Sequence, residues 1–128
     1  MSLFDWLLLG HLIGDFLFQT DNMAKRKPQN WRWLVGHVSL YMVTITVIII
    51  AYGLCHVVPV WLPVTAWLFI FGTHVILDRR SFTARWMRMA GTSPDHPWLP
   101  IVVDQTFHLI TLAIVAQALA LAGEGMGL

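Results

Sequence analysis

Three pairs of histidine and aspartate recur at one spacing within otherwise apolar stretches of this sequence. The pairs are His11 with Asp15, His74 with Asp78, and Asp104 with His108. Residues four apart on a helix share one face, close enough for both side chains to bind one ion. A lone His37 lies in another apolar stretch. Imidazole and carboxylate groups are the ligands of zinc, manganese and iron, so these seven residues predict a divalent-metal site.

The number of ligands favours two ions. Seven ligands are too many for one tetrahedral ion, and they suit two ions that share a carboxylate and leave a position for water. Asp15, Asp78 and Asp104 are then the catalytic candidates, one as the bridge and one as a general base. Zinc is the expected metal, with manganese or iron as alternatives. One ion with surrounding carboxylates, or His–Asp ion pairs without metal, stay open.

Four further polar residues lie beside the pairs. Gln19 and Gln105 are candidates to orient a ligand or a substrate, or to form hydrogen bonds between helices. Arg79 and Arg80 follow Asp78 directly and are candidates to hold a phosphate, or only determinants of topology. The two remaining histidines, His56 and His96, fall in connections and are not expected to bind the metal.

The composition is that of an integral membrane protein. Hydrophobic residues are 57% and charged residues 12% of the 128 residues, and the mean hydropathy is +0.66. A soluble domain of this size cannot bury so much apolar surface. This excludes a soluble globular domain, a disordered chain and a nucleic-acid-binding protein. The single cysteine, Cys55, excludes an intramolecular disulfide and a cysteine-cluster metal site.

Four apolar stretches, residues 3–19, 33–54, 57–77 and 98–122, are each near the length of about 20 residues that crosses a bilayer. We expect a single all-α domain over residues 1–128, an integral membrane four-helix bundle. All eight Lys and Arg residues lie in or beside the first and third connections. The positive-inside rule therefore predicts cytoplasmic connections there and extracytoplasmic termini. All seven candidate ligands then lie within about 14 Å of the cytoplasmic ends of their spans and can converge.

The third connection carries an amphipathic pattern. Phe82, Trp86 and Met89 recur at one helical face, with Arg85 and Arg88 beside them. The pattern predicts a short helix on the inner membrane surface. Such a helix either anchors the bundle or gathers an anionic headgroup, and both interpretations stay open.

The motifs together have a family resemblance. They are His11-x-x-Gly14-Asp15-Phe16-x-x-Gln19, the lone His37, His74-x-x-x-Asp78 and Asp104-Gln105-x-x-His108. In this combination the chain resembles, over nearly its whole length, the small bacterial membrane proteins called domain of unknown function 3307. The resemblance implies functional positions at these residues and a bacterial inner (cytoplasmic) membrane setting, but no reaction. The layout is more distantly similar to membrane-bound metal-dependent hydrolases.

The expected function is therefore a membrane-embedded metal-dependent hydrolase, with its site in the cytoplasmic half of the bilayer. A lipid-linked or amphipathic ester, phosphate or amide is the expected substrate class. The alternative is a metal-ion or proton transporter, or a sensor, that uses the same ligands. The expected partners are the lipid bilayer and such a substrate, with no nucleic acid, and a homo-oligomer stays open.

Overall fold

Every described element of secondary structure is helical. The computed structural model describes residues 1–92 and 95–125, with side chains as far as Ala122. Its helices are α1 (Leu3–Leu12), α2 (Asp21–Arg26), α3 (Trp31–Cys55), α4 (Trp61–Asp78), α5 (Ser81–Met89) and α6 (Leu99–Gly125), and a π-helical turn over Ile13–Leu17 continues α1. The predicted all-α fold is thus confirmed for these residues.

Side-chain caps explain where two of the helices begin. Ser2 Oγ accepts a hydrogen bond from the Asp5 backbone N–H, and the Asp5 carboxylate accepts one from the Ser2 N–H. This capping box satisfies backbone donors at the start of α1, and it gives the charge of Asp5 a structural role away from the core. Asn30 Oδ1 accepts from the Arg32 N–H and begins α3 two residues earlier than the apolar stretch predicts.

Three helices, α3, α4 and α6, are long and apolar enough to cross a membrane, as judged over the described residues. The prediction of a fourth such span over residues 3–19 is wrong. Helical structure there runs only from Leu3 to Leu17, which is about 22 Å at the rise of an α-helix. That is shorter than the hydrocarbon core of about 30 Å. The break before Thr20, which caps α2, ends this segment.

The long helices and α1 pack around one core. Helix α1 contacts α3 and α6, and α4 contacts the same two helices from the other side. The core contains Leu7, Tyr41, Ile45, Ile70 and Leu112, each no more than 1% exposed. Four helices therefore form the bundle, although one of them is short. Because α1 ends inside the bundle, its last turn faces the ends of α4 and α6 that carry the polar pairs.

The connection between α4 and α5 is a sharp turn. Arg80 has a positive φ of 55°, a left-handed conformation that is unfavourable for a residue with a Cβ atom. Within α5, Thr83 and Met87 are buried, whereas Phe82, Trp86 and Met89 are 42%, 48% and 75% exposed. The predicted aromatic stripe thus faces outward, and its neighbouring face packs on α6.

The outer surface of the bundle is apolar. Exposed large hydrophobic side chains follow α3 at Val35, Val43, Val47 and Ile50, a continuous patch of the kind that lipid or a partner covers. The extracytoplasmic placement of the termini stays a prediction, and residues 126–128 lie outside the described residues.

Candidate metal centre

The seven predicted ligands lie together in the core. They are His11 at the end of α1, Asp15 in the π-helical turn, His37 on α3, His74 and Asp78 at the end of α4, and Asp104 and His108 near the start of α6. Each residue is at most 4% exposed. The structure therefore brings the seven residues together, as expected from their similar distances to the ends of the apolar stretches. Metal binding by them stays a prediction.

Four atoms of this cluster converge at one point. His37 Nε2 lies 3.1 Å from both Asp15 Oδ1 and Asp78 Oδ2. His74 Nε2 lies 3.5 and 3.2 Å from the same two oxygens, and the two Nε2 atoms are 3.3 Å apart. Ligands around a tetrahedral zinc ion, each about 2.0–2.1 Å from the metal, are about 3.3 Å from one another. The five separations fit ligands around one ion, and they equally fit the His–Asp ion pairs without metal that the sequence left open.

A second group of candidate ligands shares Asp78 with the first. Asp78, Asp104 and His108 can each offer an atom within 4.8 Å of the other two, and so can His37, His74 and Asp78. Asp78 Oδ2 faces the two imidazoles of the first group, whereas Oδ1 lies 3.9 Å from His108 Nε2. Asp78 is therefore the carboxylate whose position suits a bridge.

Gln105 determines which ring nitrogen of His11 carries the hydrogen. The Gln105 Nε2 amide donates to Asp15 Oδ2 at 3.2 Å, because a carboxylate can only accept. The amide oxygen therefore faces His11 Nε2 at 2.9 Å, and that nitrogen must carry the hydrogen. His11 Nδ1 keeps its lone pair, is buried without a hydrogen-bond partner among the described residues, and lies 3.8 Å from Asp15 Oδ2. This is the arrangement of an orienting partner behind a metal ligand.

A backbone carbonyl determines in the same way which ring nitrogen of His108 carries the hydrogen. Its Nδ1 lies 2.9 Å from the Asp104 carbonyl oxygen, which can only accept, so Nδ1 carries the hydrogen. His108 Nε2 then keeps a lone pair that is buried and has no hydrogen-bond partner in the described part of the chain. Asp104 itself is held from α5, because Thr83 Oγ1 donates to Asp104 Oδ1 at 3.0 Å.

Stacking holds the other two imidazoles. The His74 ring lies on the Tyr41 ring with centroids 3.6 Å apart, and the His37 and His74 rings are 5.4 Å apart and nearly parallel. The Nδ1 atoms of His37 and His74 are buried and have no hydrogen-bond partner among the described residues. Packing therefore aims their Nε2 atoms, in contrast to the hydrogen bonds that orient His11 and His108.

The π-helical turn places Asp15. The Phe18 N–H donates to the Ile13 carbonyl at 3.0 Å, which is the wide i to i+5 bond of a π-turn. Close approach to α3 depends on Gly14, because a Cβ atom there would lie 2.7 Å from Tyr41 Cδ2 and 2.9 Å from Thr44 Oγ1. The turn thus sets the Asp15 carboxylate beside His37, at a site where an ordinary helix with a larger residue would not fit.

Lys27 is a member of the site that the sequence reading assigned only to topology. Its side chain, at the end of α2, is 4% exposed, and Nζ lies 2.7 Å from Asp78 Oδ1. The same Nζ is 3.1 Å from His37 Nε2. No local spacing links Lys27 to Asp78, which lies two helices further along the chain. A lysine in a basic connection is typical of a topology determinant, so nothing in the sequence indicates the contact between Lys27 and Asp78.

Of the other residues that were predicted to lie beside the ligands, only some contact the cluster. Gln105 contacts two ligands, but Gln19 has no hydrogen bond to the cluster among those described, and its Oε1 is buried without a partner. The Arg79 guanidinium stacks on Trp31 with its Cζ 4.6 Å from the ring. His56, beside Tyr52, and His96, beside Trp98, are exposed and outside the cluster.

A cavity of about 400 Å³ lies between α5 and the start of α6. Its lining consists of Arg80, Thr83, Ala84, Met87, Arg88, Thr92 and Pro100. Thr83 is common to the cavity wall and to the hydrogen bond with Asp104. Two arginines therefore line a space whose wall includes the threonine that contacts Asp104.

The fold and the cluster define an all-helical protein that has three helices able to cross a membrane and a buried His/Asp site. The chain belongs to the family described as protein of unknown function, DUF3307, which matches residues 3–126. The resemblance drawn from the sequence motifs is thereby confirmed. Comparisons with curated proteins and with solved structures gave no match, and the link to metal-dependent hydrolases stays a prediction.

Proposed function

We propose that this protein is a multipass protein of the bacterial inner membrane and a metal-dependent hydrolase. Its metal, zinc by preference, would be bound by the buried His/Asp cluster. The observation that carries the proposal is the set of separations of 3.1–3.5 Å among the facing atoms of His37, His74, Asp15 and Asp78. Two nitrogens and two oxygens at this spacing match the ligand types and distances that zinc takes in proteins.

The charge of the cluster supports a bound cation. Asp15, Asp78 and Asp104 are each at most 4% exposed, and Lys27 is the buried cation beside them. Buried carboxylates that lack a counter-charge are strongly unfavourable. Extra protons on both His37 and His74 would supply charge, but they would bring two N–H groups face to face at 3.3 Å. A divalent ion at this point would offset the carboxylate charge and take the lone pair of His74 Nε2, and it would take that of His37 Nε2 in competition with the Lys27 ammonium.

The carboxylates can divide the chemical work. A zinc ion in this cluster would supply a water molecule of lowered pKa. Asp15 and Asp78 have oxygens in the four-atom set, whereas Asp104 lies beside it with Oδ2 3.9 Å from His108 Nδ1. We assign Asp104 as the general base that accepts the proton of the attacking water. Asp78, which faces both groups of ligands, is the carboxylate suited to bridge.

The cavity beside α5 supports a lipid-linked or amphipathic substrate. Arg80 and Arg88 line it, and guanidinium groups bind phosphate oxygens with good geometry. The outward-facing Phe82 and Trp86 suit insertion of α5 into a membrane surface. A substrate whose anionic headgroup lies between the arginines would have its scissile bond within reach of Asp104, on the other side of Thr83.

Transport of a metal ion or proton is the second candidate, and the packing favours it less. Next to the cluster along the bundle, the core is filled by Leu7, Ile45, Ile70 and Leu112, each at most 1% exposed. A pathway for ions needs polar groups or space through this layer. The packing of this layer therefore argues against a path for ions along the bundle axis.

The test compares the wild-type protein with His74→Ala and a matched control, His96→Ala, in detergent. Zinc content is measured by elemental analysis, and hydrolysis is followed with a fluorogenic lipid-like phosphate ester and a carboxylic ester. We expect chelation to abolish hydrolysis of one of the esters and added zinc to restore it. His74→Ala should lose both zinc and hydrolysis, and His96→Ala should keep both.

Hydrolysis that continues undiminished after complete removal of metal would contradict the proposal. So would wild-type protein that binds zinc but hydrolyses neither ester faster than His74→Ala does. Zinc uptake into proteoliposomes without hydrolysis would instead support the transport candidate.

A further inference from the structure

Lys27 is the one lysine that the structure buries in the polar core. Its Nζ contacts Asp78 Oδ1 at 2.7 Å and His37 Nε2 at 3.1 Å. Lysine is almost never this buried unless its charge is paired. Lys25, two residues earlier in the last turn of α2, is exposed. The burial of Lys27 is therefore specific to its position, and its ammonium group belongs to the site.

The Lys27 ammonium lies beside Asp78 Oδ1, the oxygen that a second metal ion would bind. Asp78 Oδ2 faces His37 and His74 at 3.1 and 3.2 Å. Asp78 Oδ1 faces the other group of ligands, formed with Asp104 and His108. Lys27 contacts Oδ1. In a dinuclear centre the shared carboxylate would give one oxygen to each ion, and here a positive charge already lies at the second oxygen.

We propose that Lys27 takes the place of the second metal ion, so that the cluster binds one divalent ion per chain. The inference rests on the proposed function, because it assumes that the His/Asp cluster binds metal. It departs from the two-ion expectation of the sequence, which counted ligands and did not count this lysine.

Charge balance gives the physical reason. The buried carboxylates of Asp15, Asp78 and Asp104 carry three negative charges, and Lys27 leaves two of them uncompensated. One divalent ion neutralises the remainder. A second divalent ion would leave the buried cluster with two excess positive charges, which a low-dielectric interior strongly disfavours. Without the lysine, one divalent ion would leave a net negative charge, and the Asp78–Asp104–His108 group would be free to bind another.

The lysine also provides what a second ion provides in a dinuclear hydrolase. One ion of such a pair contacts the oxygen on which negative charge develops. An ammonium group beside Asp78 can donate to the same oxygen of a substrate, with its charge fixed by covalent attachment to the chain.

The experiment counts zinc ions per chain in wild-type protein and three variants, by elemental analysis and by calorimetric titration in detergent. Lys27→Met removes the charge and keeps the length of the side chain, Lys27→Arg keeps the charge, and Lys25→Met is the exposed control. We expect one ion per chain in wild type, Lys27→Arg and Lys25→Met, and two in Lys27→Met.

Each result has a distinct meaning. Two ions per chain in the wild type would overturn the inference and leave the proposed function standing, and this result does not depend on the folding of any variant. One ion in both wild type and folded Lys27→Met would also overturn it. No ion in the wild type and one in Lys27→Met would overturn the inference of one ion per chain, and it would also overturn the proposed function. No ion in either protein would overturn both.

Discussion

His37 and His74 point their Nε2 atoms at each other across 3.3 Å. They come from neighbouring helices, α3 and α4, and neither ring has a hydrogen bond from Nδ1 among the described residues. Two nitrogens at this distance either share one hydrogen or bind one cation. Carboxylate oxygens lie on both sides of the pair at 3.1–3.5 Å, where they can accept an N–H or share a bound cation.

His37→Ala and His74→Ala should each raise the zinc dissociation constant by more than about 100-fold, the upper range for loss of an orienting partner alone. Each change removes a nitrogen from the four-atom set. Competition with a chromophoric chelator measures the constant, and His56→Ala, whose ring is exposed, should leave it unchanged. If His37→Ala binds zinc as tightly as wild type but loses hydrolysis, His37 contacts the substrate and is not a ligand.

Asp78→Asn should destabilise the metal-free protein by about 3–5 kcal/mol, because it leaves the buried charge of Lys27 without its partner. Unfolding in detergent measures the loss. The double variant Asp78→Asn with Lys27→Met should recover part of the stability, since it removes the stranded charge. Asp21→Asn, at an exposed position, is the control. Equal stability of Asp78→Asn and wild type would show that the ion pair contributes nothing.

Gly14→Ala should lower the free energy of unfolding by about 1–3 kcal/mol, as overpacking of a filled interior does. Its Cβ would collide with Tyr41 on α3, including a backbone atom at 3.2 Å. The matched control is Gly72→Ala on α4, where the added Cβ meets nothing within 4 Å. That control should be neutral or gain up to about 1 kcal/mol from helix propensity. A neutral Gly14→Ala would contradict the tight contact.

Gln105→Leu should weaken zinc binding by about 10–100-fold, because the amide orients both His11 and Asp15 without touching the metal itself. Gln117→Leu, on the exposed face of the same helix, should bind zinc normally. Both variants carry the same change from glutamine to leucine on α6. Calorimetry on the two therefore isolates the effect of the hydrogen bonds that Gln105 makes to His11 and Asp15. Unchanged affinity in Gln105→Leu would remove Gln105 from the site.

Cys55 should react with a membrane-impermeant maleimide in intact spheroplasts. The cysteine is exposed at the end of α3, and the positive-inside rule assigns the connection that follows it to the outer side. In a Cys55→Ala background, Arg88→Cys on α5 should react only after permeabilisation. The reverse pattern would invert the topology and with it the predicted cytoplasmic depth of the cluster.

The sequence was sufficient for the part of the site that is encoded locally. His74 and Asp78 share a helix face through their spacing alone, and so do Asp104 and His108. The π-helical turn at Asp15 has no such spacing signal, since it arises where α1 packs on α3. The first apolar stretch is too short to be a fourth span because its helical structure ends at Leu17, before the cap of α2 at Thr20.

Contacts between distant segments were beyond prediction. Lys27 meets Asp78, and Thr83 meets Asp104, only because the helices fold on one another. On α5 the period of the apolar residues predicted a helix with an outward-facing stripe, and that stripe is exposed, but the period gave no sign that Thr83 and Met87 would be buried. A period identifies a face of a helix, and only the neighbouring helix decides whether that face is inside.

The contact between Lys27 and Asp78 has a consequence for biogenesis. During synthesis the chain emerges from its N-terminus, so Asp15 enters the membrane environment before α4 and α6 exist. Lys27 follows it closely and can offer an early counter-charge, which later transfers to Asp78 when α4 arrives. The carboxylate of Asp104 comes last. The order of these charges along the chain therefore lets Lys27 offset the charge of Asp15 until α4 brings Asp78 to it.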